Sequence, residues 1–386
     1  VKTPSRLVAV VGAAALLLLG ACSKDKDAEP PAELVDFNAK IAIERVWSAN
    51  VGGGDDPLRL ALAPALDGER LYAAGEGGNV YAFDANTGRT QWRTDTKLAL
   101  SAGPGAGDGL VAVGTSDGLL VALDAATGAK RWEVRLTGEV LAPPAISATA
   151  VVVRTVDGHV RALSPADGRE LWTDDEPVPR LTLRGTAPPV IAGDTVICGF
   201  DNGRVAAYGL ATGDVLWETA VTPPRGRTEL ERLVDIDGAV RVSGRDVFVA
   251  GFQGRVAMLA LDSGQIWWAR DLSSHRGLAV EGETVYVTGA DSVVQALRRR
   301  DGTPVWSNDQ LIRRGLTAPA VDGDALVVAD FEGYAHWLDK TSGDLLGRVA
   351  VGGARVTNAP VAANGLVYLQ NDEGRLVALR ARPRGR

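Results

Sequence analysis

Apolar residues along most of this chain come in runs of four to six, each closed by a turn rich in Gly or Asp. From Asp108-Gly109 the order is LVAVG, a turn at Ser116-Asp117-Gly118, LLVALD, a tight turn with Gly128, and a strand carrying Trp132. Such runs predict antiparallel hairpins, because Gly supplies the positive φ that tight reversals need. Beyond the N-terminal segment, nothing carries the 3.6-residue apolar period of a helix.

The same grammar recurs along the chain. AFDANTGRTQW ends at Trp92, ALDAATGAKRW at Trp132, ALSPADGRELW at Trp172, AYGLATGDVLW at Trp217, MLALDSGQIWW at Trp268 and ALRRRDGTPVW at Trp306. WLDKTSGDLLG ends at Gly347, where the Trp is lost. A Gly stands four residues before every final position. A period near 40 residues with four strands per copy predicts β-propeller blades. The last copy stops before its Trp strand, and IERVWSANV around Trp47 supplies one at the other end of the chain. The expectation is an all-β, eight-bladed propeller of four-stranded antiparallel blades over residues 41–382. In it the N-terminal strand completes the last blade and closes the ring. The copy number makes the Trp motif architecture, each indole burying a large area against the next blade.

The first residues follow another rule. Lys2 and Arg6 precede an apolar run from Leu7 to Leu19, then Leu19-Gly20-Ala21-Cys22. The run is short for a membrane span and reads as a signal peptide over 1–21. Leu-Gly-Ala-Cys resembles the bacterial lipobox, which implies lipidation of Cys22, and Ser23 after it implies sorting to the outer membrane, periplasmic side. Residues 22–40 are polar and Pro-containing and read as a tether, about 60 Å long if fully extended. Loss of Lys2 and Arg6 leaves 39 basic against 48 acidic residues. That balance argues against a nucleic-acid partner. Cys198 then stands alone in an apolar strand and reads as a buried small hydrophobe.

Candidate chemistry is sparse. His159, His275 and His336 fall in separate blades, and no nucleophile-and-base motif occurs. GPGAGDG (103–109) reads as a connector with no following helix to cradle phosphate. Asp235-Ile236-Asp237-Gly238 hints at calcium, but the further ligands of an EF-hand loop are missing. The distinctive segments are connectors between blades. LTGEVLAPPAI (136–146), LTLRGTAPPVI (181–191), LIRRGLTAPAV (311–321) and GGARVTNAPVA (352–362) are cognate and should gather on one mouth of the ring. In PRLTLRG (179–185), Leu181 and Leu183 alternate around Thr182 beside Arg184. Exposed, they make an apolar and cationic anchor for a protein partner; turned inward, they plug the ring. Asp235 and Asp237, in the longest insertion, either join an ion-pair network with Arg184 or face a basic partner.

The repeat is similar to the tryptophan-docking motif of pyrroloquinoline quinone (PQQ) dehydrogenases. Those enzymes add a cofactor site and often a vicinal disulfide, for which this chain has neither adjacent cysteines nor long insertions, so no cofactor is expected. Lipobox, short blades, PRLTLRG, RTELERLVDIDG (227–238) and FEGYAHWLD (331–339) together resemble the BamB family of the outer-membrane β-barrel assembly (BAM) machinery. The resemblance implies a non-enzymatic lipoprotein that binds BamA, through it the BAM complex, and supports insertion of β-barrel proteins. It implies Leu181, Leu183, Arg184, Asp235 and Asp237 as the BamA-binding residues, and leaves direct contact with unfolded β-barrel clients open. The rival expectation is a PQQ-binding dehydrogenase or a relic of one.

Overall fold

The structure, a computed structural model, describes residues 29–53, 60–183 and 187–384. Eight four-stranded antiparallel sheets follow one another around a ring. Blade 1 spans residues 65–95, blade 2 100–135, blade 3 145–175, blade 4 190–220, blade 5 241–271, blade 6 278–308 and blade 7 320–350. Blade 8 takes three strands from 361–383 and its outer strand from Ile41–Asn50. That outer strand pairs antiparallel with Arg375–Pro383, from Ile41↔Pro383 to Asn50↔Arg375. The two ends of the chain thus close the ring, as the repeat phase predicts.

What locks one blade to the next is the Trp motif. The indole N–H of Trp47 donates to the Ala85 carbonyl at 2.8 Å, in the outer turn of the following blade. Trp92, Trp132, Trp172, Trp217, Trp268 and Trp306 do the same to Ala125, Pro165, Leu210, Leu261, Arg299 and Lys340, at 2.7–3.0 Å. Each indole lies on the motif glycine of that turn. Gly88, Gly128, Gly168, Gly213, Gly264, Gly302 and Gly343 have φ between +67 and +80°. A Cβ on any of them would come within 2.4–2.7 Å of the neighbour's ring. The glycine therefore serves the turn and the close approach of the indole together. Asp and Thr hold the same turn: Asp124 accepts from the Thr127 N–H and hydroxyl at 2.9 and 2.8 Å.

The exception explains itself. Blade 8 has no such turn, because its last two strands are the chain's two ends. Ile41 and Ile43 occupy the space, 2.8 and 3.1 Å from where a Cβ of Gly347 would lie. An indole at 347 would have neither room nor a turn to sit on.

Two segments differ from their sequence reading. GPGAG is not a connector: Leu100–Gly107 is the inner strand of blade 2. Its glycines admit the neighbouring blade, since a Cβ on Gly105 would lie 2.0 Å from the Pro144 carbonyl oxygen. Residues 29–40, part of the expected tether, lie against the body. The Ala32 N–H donates to the Ile312 carbonyl at 3.0 Å. Arg313 Nε donates to the Pro30 carbonyl at 3.0 Å and pairs with Glu29 at 2.6 Å. Arg348 stacks on Phe37, and Leu34 packs into the apolar cluster between blades 6 and 7.

Gly128→Ala tests the docking glycine against an ordinary turn glycine. Gly109 has φ +80° with nothing within 4 Å of a Cβ, so Gly109→Ala meets only the left-handed backbone penalty of about 1–2 kcal/mol. Gly128→Ala adds overpacking on Trp92, typically about 1–3 kcal/mol. Thermal unfolding should therefore fall distinctly further for Gly128→Ala; equal shifts would refute the docking role.

Candidate partner-binding site

Each outer strand leads through a connector to the inner strand of the next blade, and these connectors meet at one mouth of the ring. They border an axial cavity of about 610 Å³, to whose wall Leu183, Asp237, His275 and Pro360 contribute. The connector from blade 3 to blade 4 carries the PRLTLRG segment. Leu181 is 42% exposed and Leu183 37%, so neither is packed into the core, and Leu183 stands where the mouth opens into the cavity.

The insertion between blades 4 and 5 holds that connector from beneath. Leu233, Val234 and Ile236 are buried and fix the insertion to the core. The backbone around Asp235 is pinned on both sides. The Phe252 N–H donates to the Asp235 carbonyl at 2.7 Å, and the Ile236 N–H to the Phe200 carbonyl at 3.2 Å. From this rigid position the Asp235 carboxyl oxygen Oδ2 accepts the Leu183 N–H at 3.1 Å. Asp235 is wholly buried, so it touches a partner only through the connector it holds. Asp237 is half-buried, engaged by another group, and borders the axial cavity.

A second layer lies below. Arg154, from blade 3, pairs with Asp201, from blade 4, and both side chains are 2% exposed. The guanidinium also lies 5.5 Å over the Phe200 ring. Burial, with the negative charges of Asp237 and Asp201, pushes the Asp235 carboxyl up to about 8; Arg154 and the Leu183 N–H oppose this in part. Sequence reasoning missed Arg154 and Asp201, though a signal existed. The cognate strand positions hold Ala74, Gly114, Gly199, Ala250 and Ala329, with Thr288 and Gln370 in blades 6 and 8, and the one charged residue among them, Arg154, marks a special contact.

Of the six site residues expected from the sequence, the structure brings together Leu181, Leu183, Asp235 and Asp237. Arg184 and Cys22 lie outside the described residues. Arg314, the cognate of Arg184 in the connector from blade 6 to blade 7, is buried. It donates to Asp330 at 2.8 Å, pairs with Glu332, and lies 5.1 Å over the Phe331 ring. It also donates to the Ala32 carbonyl at 2.8 Å. This connector thus carries the chain's own residues 30–32.

Other groups are absorbed by packing. His336 is wholly buried, with Nε2 3.0 Å from Asp330 Oδ2, and burial lowers its pKa. Cys198 is a buried free thiol pushed up to about 12 by desolvation. Among the described residues no group of three or more His, Cys, Asp and Glu could hold a metal ion.

The raised Asp235 pKa has a definite sign. Its carboxyl stays protonated in the folded chain up to about pH 8, whereas the unfolded chain releases the proton near pH 4. Its stabilising contribution is complete below pH 4 and is lost as pH rises to about 8. Asp235→Asn keeps an acceptor for Leu183 but cannot ionise. The denaturation midpoint of wild type should therefore drop relative to Asp235→Asn between pH 4 and 8, and parallel profiles would contradict the assignment.

Residues 76–308 and 290–383 match the family model described as outer membrane protein assembly factor BamB. The assembly factor BamB of Pseudomonas aeruginosa is 43% identical over 95% of this chain and 96% of its own. That of Marinobacter adhaerens is 45% identical over 97% and 96%. The crystal structure of BamB from Moraxella catarrhalis superposes with a TM-score of 0.80 at 30% identity, covering 88% of this chain and all of that one. Quinohemoprotein alcohol dehydrogenase from Comamonas testosteroni shares the fold, with a TM-score of 0.68 at 13% identity, over 89% of this chain and 78% of its own. With short blades, a Trp-docked ring and the held connector at its mouth, the chain belongs to the BamB family of outer membrane protein assembly factors.

Proposed function

We propose that this chain is a non-enzymatic scaffold that binds BamA at the Leu181–Leu183 connector and so supports insertion of β-barrel proteins into the outer membrane. The observation that carries the reading is the exposed leucine pair on a connector whose backbone is held by buried Asp235. Apolar side chains presented on a pre-organised backbone lose little entropy on binding, which suits a hot spot. The cognate connector at 311–314 supports the choice of a peptide segment as partner, since residues 30–32 lie on it through the Ala32 N–H to Ile312 carbonyl bond and the Arg314 side chain. In this reading Arg184 adds charge recognition and Asp237 borders the contact. Cys22 carries the lipid that keeps the body at the periplasmic face of the outer membrane.

Leu183→Glu or Arg184→Ala should abolish co-purification with BamA while thermal unfolding stays near that of wild type. Undiminished co-purification of both folded variants would remove this surface from the account. Incubated with PQQ and calcium, the purified chain should show no stoichiometric quinone absorbance; its appearance would replace the scaffold reading with that of a quinoprotein.

A further inference from the structure

The axial cavity contains a break in the eightfold repeat that partner binding at the connector does not explain. The innermost strands place one cognate residue each opposite the second strand of their blade. Seven of these are Ala65, Gly105, Ala145, Val190, Ala279, Ala320 and Val361. The eighth is Arg241, opposite Phe248 in blade 5. Small or apolar residues there let inner strands crowd around an axis. An arginine there sets a permanent charge where the other blades place none.

Arg241 lines the cavity and is exposed to the solvent that fills it, with the ring wall close around the guanidinium. Partial desolvation by that wall lowers its pKa, and among the described residues no carboxylate offsets that effect. Its neighbours differ. Glu76, Asp237 and Arg276 also border the cavity, and each is engaged by another group. Among the described residues that border the cavity, the cationic group left to receive a ligand is Arg241. Around it the wall is mainly apolar, and Phe252 and His275 meet edge to face at 5.8 Å. The cavity's 610 Å³ falls within the range of about 300–1,000 Å³ usual for small-molecule sites.

We propose that the axial cavity binds a small organic anion, with its carboxylate or sulfonate on Arg241 and its apolar body against the Phe252–His275 wall. The anion supplies the counter-charge that the guanidinium lacks, and a charge-assisted fork on Arg is the strongest polar contact such a wall offers. This inference stands apart from the partner reading, because no BamA contact is needed for it.

The test titrates the purified full chain with 8-anilinonaphthalene-1-sulfonate and follows its fluorescence, with octanoate and octanol as competitors. Wild type should show one saturable site displaced by octanoate and not by octanol. Arg241→Val installs the residue that blades 4 and 8 carry, so the fold should be kept, checked by an unchanged unfolding midpoint. It should weaken binding by about tenfold or more, the scale of a charge-assisted hydrogen bond. Arg241→Lys keeps the charge and should retain most of the affinity. Equal affinity in Arg241→Val, equal competition by octanol, or no saturable binding by wild type would each overturn the proposal. BamA capture by Arg241→Val reports separately on the connector surface.

Discussion

The ring depends on one contact repeated seven times: an indole lying on a left-handed glycine in the next blade, its N–H bonded to that turn's carbonyl. A propeller blade is a small twisted sheet that cannot bury both faces alone, so the junction between blades carries the stability. The contact combines a large apolar area with one directional bond, which fixes both the spacing and the rotation of successive blades. The eighth junction is made instead by Ile41 and Ile43 of the strand that closes the ring. Loss of the N-terminal strand would therefore open a junction and leave the edge at Arg375–Pro383 unpaired.

This frame lets the mouth of the ring vary. Connectors between blades carry no part of the docking contact, so insertions such as 221–240 are tolerated there. Blade 4 shows how such an insertion becomes useful. Its buried residues fix Asp235, Asp235 fixes the backbone of Leu183, and Leu183 is thereby displayed on a rigid support. The buried Arg154–Asp201 pair sets the electrostatic background of that carboxyl. A loop made rigid in this way differs from the floppy surface segment its position suggests.

The fold was legible because a repeat amplifies weak local signals. One such turn and strand could be chance; seven related copies, each with Gly four residues before its final position, define blade number, strand order and the closing strand. Gly347 was legible as an exception but not as a consequence of closure, which needs the turn absent from blade 8. The exposure of Leu181 and Leu183 was legible, since their alternation in a connector sets both on one face. Asp235 was placed on the right mouth, but its burial depends on Leu233, Val234 and Ile236 folding inward, a tertiary fact. GPGAG misled because glycines that normally mark turns here serve close strand packing, which depends on the neighbouring blade.

The docked segment at residues 29–40 shortens a leash. Read as free coil from Cys22, it would let the body wander some 60 Å from an anchor. Because Glu29 to Ala32 are held by Arg313 and Arg314, only seven peptide steps separate Cys22 from the first held residue. At full extension these reach about 25 Å. A lipid at Cys22 would then constrain bearing as well as distance. The propeller would be moored at one quarter of its circumference, beside blades 6 and 7, and could pivot about that point but not drift away from it.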